Sequence, residues 1–329
     1  AATDYPANLL PLIQRNAANL WETFLLVNRI QVRRQPTSLW LLIETLCPDD
    51  TTTVLDEMVA WRVFIAGHAY AKTIEDLSRV PPFGEVVTAR LRGWLLRVMS
   101  EPVVSPDIRG MSGQLLGVVG DPRPHVLSIE EMRFCFIPAG SYQAEPKRDK
   151  WKAVSIAYDY WLGEYPVTYA QMEGFFQSVP SARPSPYSLV DPVPNLPYAD
   201  HYSWPVAKAF CDWMQREYAK YLPAGYRYCL PSESEWAMAA RGGVLVPLDG
   251  EAHICSLDRL EDPDWKLVLN PLPQRAYPWG DETQAYERCN CNEISIGMTC
   301  PGCFPTGVSP YGCQDMLGNV EQWTRDVHK

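Results

Sequence analysis

The segment that decides the fold runs from Tyr311 to Asp326 and reads YGCQDMLGNVEQWTRD. Aromatic residues, glycines and side-chain amides follow one another in it at close intervals. An ordinary surface helix instead carries charged and polar residues over its outer face. The composition therefore predicts an irregular, packed turn in place of a helix.

Five further motifs precede this segment. In chain order they are FCFIPAGSY (134–142), YWLGEYPVTYAQMEGF (160–175), YSWPVAKAFCDWM (202–214), YRYCLPSESEWAMAARGG (226–243) and YPWGD (277–281). One such motif alone is weak evidence, whereas six in a fixed order are specific. Together they resemble the sulfatase-modifying-factor family, which includes the formylglycine-generating enzymes. The resemblance implies a loop-rich domain with a C-type-lectin-like fold.

The N-terminal region has a helical pattern. Between residues 7 and 119, apolar residues such as Leu20, Phe24 and Val27 recur at spacings of three and four, which predicts amphipathic helices. Prolines divide the region into about five helices. The last of these resembles one degenerate HEAT-type repeat, with Ser105 as its N-cap.

We therefore predict the α+β class, with a helical, HEAT-like domain at 1–127 and a formylglycine-generating-enzyme-like, C-type-lectin-like domain at 128–329. The second domain is expected to be truncated at its C-terminus. Residues 180–197 carry six prolines and are expected to be irregular. Two capping boxes predict helix starts in this domain: Thr168 with Gln171, and Ser232 with Glu235.

Composition and charge exclude several classes of function. A net charge of -10 argues against binding to nucleic acid or to an anionic membrane, both of which favour basic patches. The most apolar run, residues 38–47, is far shorter than the ~20 residues that span a bilayer. No secretory signal is visible, and most of the ten cysteines are scattered, as in proteins with reduced thiols. We predict a cytoplasmic protein.

Four cysteines form one cluster, with Cys289 and Cys291 in the first pair and Cys300 and Cys303 in the second. Four thiolates can close a tetrahedral zinc site, and the second pair has the usual metal-knuckle spacing. The spacer NEISIGMT is short for a zinc ribbon, and cysteine is also a good small core residue. A zinc site, a disulfide and packed thiols therefore remain alternatives.

The family resemblance also implies a calcium site. Members hold calcium with an Asp or Asn side chain, two backbone carbonyls and a Glu, which correspond here to Asp315, Gly318, Val320 and Gln322. Calcium prefers anionic oxygen, and Gln322 offers a neutral amide where the family has Glu. Glu321, which replaces a family Trp, is expected to point elsewhere. This substitution favours a turn held by hydrogen bonds over a calcium site.

No catalytic residue is predicted. By resemblance, the oxidases of the family bind copper through two cysteines downstream of the signature turn, near an RGGSW-like stretch, and none of the cysteines here corresponds to them. Copper is expected only if residues beyond Lys329 supply the pair. The related sulfoxide synthases need an HxxxHxE iron motif, but the N-terminal half contains only His68 and His125. His68 is interpreted as a core histidine.

Two functions remain as hypotheses. The first is a non-catalytic recognition or sensor module that binds a protein or peptide. In this hypothesis the chain is part of a larger bacterial signalling or defence protein with an upstream NACHT-type ATPase or protease, or a relative of the variable proteins of diversity-generating retroelements. The second is a copper-dependent formylglycine-generating oxidase that acts on a sulfatase cysteine and whose active segment is missing from this chain.

The motif aromatics give a further prediction about packing. Each lies on the apolar face of a predicted helix or within the signature segment. We therefore expect all five to be buried in one common core: Trp204, Phe210, Trp213, Trp236 and Trp323.

Overall fold

A computed structural model describes residues 6, 10–49, 52–77, 80–147, 150–184, 193–199, 204–248, 253–260, 266–283, 285–291 and 296–326. The chain folds into two compact units, residues 1–122 and 123–329. Helices and small antiparallel sheets are both present, which confirms the α+β class. The HEAT-like and C-type-lectin-like assignments stay predictions.

Five helices form the described part of the first unit: α1 (Leu10–Arg34), α2 (Ser38–Leu46), α3 (Glu57–Thr73), α4 (Pro82–Met99) and α5 (Pro106–Val119). Helix α3 is central and contacts the other four. The Asp56 carboxylate caps α3 by accepting from the Val59 amide at 2.8 Å. Prolines begin α4 and α5, where a missing N–H costs nothing. No described helix is long and apolar enough to cross a membrane.

Two predicted details of this unit can be compared with the structure. His68 packs against the rings of Phe64 and Trp21, and burial lowers its pKa to about 4, so it is a neutral core histidine at physiological pH. Ser105 does occupy the N-cap of α5, but its hydroxyl donates to a Glu57 carboxylate oxygen at 2.8 Å and does not cap a helix amide.

Four helices and seven short strands make up the described part of the second unit. The helices are α6 (Pro124–Leu127), α7 (Tyr169–Ser178), α8 (Trp204–Tyr218) and α9 (Glu233–Arg241). The strands are β1 (Arg133–Ile137), β2 (Gly140–Lys147), β3 (Lys150–Ile156), β4 (Tyr160–Gly163), β5 (Leu245–Pro247), β6 (Ile254–Ser256) and β7 (Leu267–Leu269). All pairings are antiparallel, in the orders β4-β1-β6, β2-β3 and β5-β7.

Both predicted capping boxes are confirmed. Thr168 opens α7 with Gln171 as its partner, and Ser232 opens α9 with Glu235 as its partner. Gly242 follows the last residue of α9 and has a positive φ of 83°. Glycine adopts this conformation at little cost in free energy, so it commonly ends a helix. Of the stretch predicted to be irregular, residues 180–182 form one turn of 3₁₀ helix, and residues 185–192 lie outside the described part.

The prediction of one common aromatic core is wrong, because strand β1 separates two cores. Successive side chains of a strand point to opposite faces, so Cys135 faces one cluster and Phe134 the other. Phe210 and Trp213 lie in the cluster of Phe134, whereas Trp236 packs against the cluster of Cys135.

The remaining two tryptophans are not in a core. Trp204 is partly exposed, and Trp323 is 45% exposed. The signature segment therefore presents an aromatic side chain outward.

Candidate functional site

The signature segment, residues 311–326, forms neither helix nor strand, as its composition predicts. Its path includes four positive φ angles, at Gly312 (94°), Asp315 (53°), Gly318 (78°) and Asn319 (64°). Glycine takes this conformation freely, and Asn and Asp tolerate it better than most residues. At Gly318 a Cβ atom would lie 2.3 Å from the main-chain oxygen of Asn290, so the turn can pack there only with glycine.

Asn319 joins this segment to the cysteine loop, residues 289–303. Its main-chain N–H donates to the Asn290 oxygen at 2.8 Å. Its side chain bonds the backbone of buried Thr299 twice, donating from Nδ2 to the carbonyl and accepting at Oδ1 from the amide, each at 2.9 Å. These bonds satisfy buried backbone groups that have no sheet or helix partner.

Asp315 lies beside Asn319, whose Nδ2 donates to its carboxylate at 3.2 Å. Burial raises the pKa of Asp315 to about 7, and the hydrogen bond from Asn319 opposes this shift only in part. The side chain keeps some solvent exposure, but its surroundings disfavour the charged form. Asp315 is therefore partly protonated near neutral pH.

The calcium prediction can be tested on the donor atoms of this turn. The Gln322 carboxamide is occupied, since its Nε2 donates to the Asp315 main-chain oxygen at 2.8 Å and its Oε1 accepts from the Trp236 indole at 3.0 Å. The Gly318 carbonyl accepts from the Val320 amide at 2.9 Å. A cation at the turn would meet the N–H₂ group of Gln322 in place of the family carboxylate. The residues as arranged do not fit calcium, which requires several oxygen donors.

The cysteine loop brings together one pair of its four predicted zinc ligands. The sulfurs of Cys300 and Cys303 are 3.6 Å apart. The thiol of Cys289 donates to the Ala285 carbonyl at 3.4 Å, and Cys291 is partly exposed. Among the described residues, no group of three or more His, Cys, Asp or Glu side chains is placed to hold a metal ion. The zinc site stays a prediction that this geometry does not support.

A second pair of thiols lies in the core, where sequence spacing gave no signal. Cys135 on β1 is hydrogen-bonded to Cys313 of the signature segment, and both side chains are fully buried. This bond and burial raise the pKa of Cys135 well above its ordinary value. Cys135 is therefore held as a neutral thiol inside the protein.

Tyr311 anchors the start of the signature segment. Its hydroxyl accepts from the Gly243 amide at 2.8 Å and donates to the Leu245 carbonyl at 2.7 Å. Burial raises the pKa of Tyr311 to about 12, so that the hydroxyl remains protonated. The segment is thereby fixed to the chain that follows α9.

Arg325 anchors the other end of the segment. Its guanidinium binds both carboxylate oxygens of Glu235, at 2.6 and 2.7 Å, and donates to the Leu230 carbonyl at 2.8 Å. Burial opposes the ionisation of Glu235, but hydrogen bonds from Arg325, the Ser232 amide and the Tyr158 hydroxyl together lower its pKa. The sequence shows Glu235 only as a helix cap, and nothing in the motif spacing indicates its ion pair.

Three aromatic residues adjoin this ion pair, through a hydrogen bond or along the chain, and are exposed in part. Tyr158 is 50% exposed and donates to Glu235, Trp323 is 45% exposed, and the Trp204 indole donates to the Thr324 carbonyl at 2.9 Å. We refer to Tyr158, Trp204 and Trp323 as the aromatic surface. Its members were not predicted as site residues.

Comparisons with known proteins identify the family to which the second unit is similar. Residues 122–329 match the sulfatase-modifying factor enzyme 1-like domain family. The chain is 28% identical over 216 residues to a formylglycine-generating enzyme of Thermomonospora curvata, a match that covers 58% of this chain and 54% of that protein. It is 25% identical over 215 residues to a formylglycine-generating enzyme of Bos taurus, covering 61% and 43%.

A third relative is named as inactive. The chain is 29% identical over 133 residues to inactive C-alpha-formylglycine-generating enzyme 2 of Mus musculus, a match that covers 39% of this chain and 32% of that protein. The matched region spans about half the length, or less, of these relatives.

Proposed function

The chain belongs to the family of sulfatase-modifying factor enzyme 1-like domains, and on this premise we propose that its second unit is a recognition module. In this proposal the module binds a protein or peptide ligand through the aromatic surface. The observation that carries the proposal is the exposure of Trp323 and Tyr158, at 45% and 50%, on a framework held by hydrogen bonds.

The framework matters because binding costs less free energy when the contact residues are already ordered. The ion pair of Glu235 and Arg325 fixes the backbone two residues beyond Trp323, and the same carboxylate holds the Tyr158 hydroxyl. Tryptophan, tyrosine and arginine are also the residues that most often dominate binding energy at protein interfaces. An ordered, exposed aromatic cluster is therefore better suited to recognition than to a purely structural role.

The wider setting of the module is part of the same proposal. We place the aromatic surface on a C-type-lectin-like scaffold, which presents long loops from a rigid core. The N-terminal helices, as HEAT-like repeats, would connect the module to an upstream ATPase or protease in a cytoplasmic bacterial signalling or defence protein. The ligand would act as the signal that the upstream part converts into activity.

The second candidate function is a copper-dependent formylglycine-generating oxidase, which the similarity to the Thermomonospora curvata enzyme favours. Copper in such a reaction would need two thiolates beside an incoming substrate cysteine. The two close thiol pairs of the described residues do not fit this role, because Cys135, Cys313, Cys300 and Cys303 are at most 1% exposed. A peptide cysteine cannot approach them in this conformation. The recognition function is therefore our first choice.

Selection from a random peptide display library tests the recognition proposal. We expect peptides that bind the wild-type chain and lose at least tenfold in affinity with Trp323→Ala. Leu269→Ala is the control, because Leu269 is a large apolar residue with 75% exposure that is not a member of the aromatic surface. The proposal fails if the selected peptides bind both variants equally. A parallel incubation with copper, oxygen, reductant and a CxPxR peptide tests the oxidase, and formation of formylglycine would make that function the better one.

A further inference from the structure

The sequence Cys300-Pro301-Gly302-Cys303 forms a tight turn that places two sulfurs side by side. Proline at the second position and glycine at the third are the residues that a type II turn requires, and Gly302 has the matching positive φ of 93°. The ends of such a turn lie within about 7 Å at Cα, which is within the range that a disulfide can bridge. The two sulfurs are 3.6 Å apart.

A cation lies against this pair. The Arg123 guanidinium donates from Nη1 to the Pro301 carbonyl at 2.7 Å, and its Nη2 lies 3.7 Å from the Cys300 sulfur. The turn and the first sulfur are therefore held by one side chain. An arginine beside a cysteine is a feature of reactive thiols, as is the Cys-x-x-Cys spacing. The hydrogen bond with Cys300 and burial raise the pKa of Cys303 well above its ordinary value, so the first attack is assigned to Cys300, which lies beside the cation.

We propose that Cys300 and Cys303 are a modification site, at which a hydroperoxide oxidises the two thiols to an intramolecular disulfide. The Cys300 sulfur attacks the O–O bond of hydrogen peroxide, forming a sulfenic acid and releasing one water. The Cys303 sulfur then attacks the Cys300 sulfur, and the displaced hydroxide leaves as a second water with the Cys303 proton. The two sulfurs lose two electrons and the peroxide gains two. A dithiol reductant reverses the modification by exchange.

The modification would act on the signature segment, which makes this inference independent of the ligand-binding proposal. Thr299 directly precedes Cys300, and both of its backbone polar groups bond the Asn319 side chain. Closing the sulfur separation from 3.6 Å to about 2 Å moves the side chains of Cys300 and Cys303 and restrains the turn between them. We expect this restraint to reach the adjacent Thr299 and to change the bonds that hold Asn319.

The primary experiment uses the unmodified full chain. The protein is reduced, treated with hydrogen peroxide, blocked with an alkylating agent, digested and analysed by mass spectrometry. We expect a peptide in which Cys300 and Cys303 have lost two hydrogens and resist alkylation, with recovery of both thiols after dithiothreitol. Hydrogen exchange at the Thr299 and Asn319 amides should change at least threefold upon oxidation.

Variants identify the role of each group. Cys135→Ser, a control in the other buried thiol pair, should form the 300–303 disulfide at the wild-type rate. Arg123→Met should slow its formation by about tenfold, because the cation that contacts the Cys300 sulfur and the turn is lost, and Arg123→Lys should restore most of the rate.

Three results would overturn the proposal. The first is full alkylation of both cysteines after peroxide treatment, and the second is oxidation that stops at sulfinic acid without a 300–303 bond. The third is one equivalent of zinc in protein isolated without chelator that is lost in Cys300→Ser, because this would identify a metal site.

Discussion

The guanidinium of Arg325 and the carboxylate of Glu235 meet in a two-point ion pair, with N–O distances of 2.6 and 2.7 Å, although the residues are 90 positions apart. Glu235 also closes the capping box of α9. One carboxylate thus fixes both the start of a helix and the end of the signature segment. The exposed aromatic side chains described above depend on this arrangement for their order.

Loss of the ion pair should destabilise the protein. The Glu235 side chain is only 7% exposed, so Arg325→Met leaves a buried carboxylate with fewer donors, at a cost of about 2 kcal/mol in the free energy of unfolding. The pKa of Glu235 is lowered in the folded state, so its contribution is present above the unfolded pKa and is lost as the pH falls through the folded pKa. Urea denaturation at neutral and acidic pH measures both effects.

The matched control is Arg183→Met. Arg183 pairs with Glu173 at 2.7 Å, but their side chains are 40% and 47% exposed, so its removal should leave the stability nearly unchanged, because solvent screens exposed ion pairs. Equal losses in the two variants would contradict a special role for Arg325.

Asp315 should make the free energy of unfolding fall as the pH rises, which is opposite to the effect of Glu235. Burial raises its pKa from 3.8 to about 7, so between these values the folded protein holds a proton that the unfolded chain has released. The contribution of Asp315 is therefore fully present below the unfolded pKa and is lost as the pH rises to about 7. Asp315→Asn should flatten this dependence and add on the order of 2 kcal/mol at pH 8.

Denaturation series over this pH range compare wild type with Asp315→Asn. The control is Asp212→Asn, because Asp212 is an exposed residue paired with Lys208 on its own helix. Parallel curves for wild type and Asp315→Asn would show that the carboxylate is not perturbed as described.

Calcium should leave the stability of the wild-type protein unchanged, because the Gln322 carboxamide is occupied by Trp236 and by the Asp315 carbonyl. Gln322→Glu restores an anionic oxygen at the turn. If that variant binds calcium with a Kd of about 10⁻⁴ M, then about 1 mM calcium adds roughly 1.4 kcal/mol to its stability. Thermal melts in calcium and in EDTA measure the shift.

Glu321→Gln is the control for a changed charge beside the turn, since Glu321 is an exposed neighbour of the turn and this variant removes one negative charge where Gln322→Glu adds one. A rise in the melting temperature of the wild-type protein with calcium would show that the turn opens to bind the ion. The conclusion that its donor atoms do not fit calcium would then be wrong.

The two classes of motif aromatic should differ in their effect on stability. Trp213 is 5% exposed and packs against Phe175 and Phe210, so Trp213→Ala should cost ~3 to 5 kcal/mol. Trp323 is 45% exposed, and Trp323→Ala should cost about 1 kcal/mol or less. Equilibrium unfolding of both variants gives the comparison, and similar losses would mean that Trp323 is a core residue after all.

Local features of this fold are readable from the sequence, and long-range ones are not. Each capping box involves residues three positions apart, so the type and spacing of Ser232 and Glu235 are sufficient to predict it. The order of the six motifs likewise identifies the family. The division of the aromatic residues between two cores follows from the alternation of Cys135 and Phe134 across β1, which only the assembled sheet reveals.

In the candidate site, too, the sequence does not predict the contacts between residues that are far apart in the chain. Asn290 and Asn319 carry no motif that links them, yet their bond joins the cysteine loop to the signature segment. The four-cysteine spacing leaves a zinc site, a disulfide and packed thiols as alternatives, whereas the structure places the sulfurs of Cys300 and Cys303 side by side. Sequence spacing alone does not show which two cysteines a turn brings together.

The last prediction concerns the contact that closes the signature segment on the cysteine loop. Gly318 has a φ of 78°, and a Cβ atom there would lie 2.3 Å from the Asn290 carbonyl oxygen. Real Cβ atoms do not approach a backbone oxygen so closely, so Gly318→Ala must move the backbone of one segment and break the Asn319–Asn290 bond. We expect a loss of about 2 to 3 kcal/mol in the free energy of unfolding, from left-handed strain and the lost bond together.

The opposite effect on the free energy of unfolding is expected for the same substitution at Gly93. This glycine lies within α4, and a Cβ atom added there would meet no other atom within 4 Å. Gly93→Ala should stabilise the protein by about 0.5 to 1 kcal/mol, because alanine loses less backbone entropy than glycine in a helix. Gly318→Ala and Gly93→Ala add the same methyl group and change neither charge nor polarity. A difference between them therefore reports the backbone geometry at the two positions. Urea denaturation of both proteins gives the two free energies, and hydrogen exchange at the Asn319 amide should rise only in Gly318→Ala. A Gly318→Ala protein as stable as wild type would mean that the signature segment does not rest on Asn290, and the proposed link between the cysteine turn and this segment would fail with it.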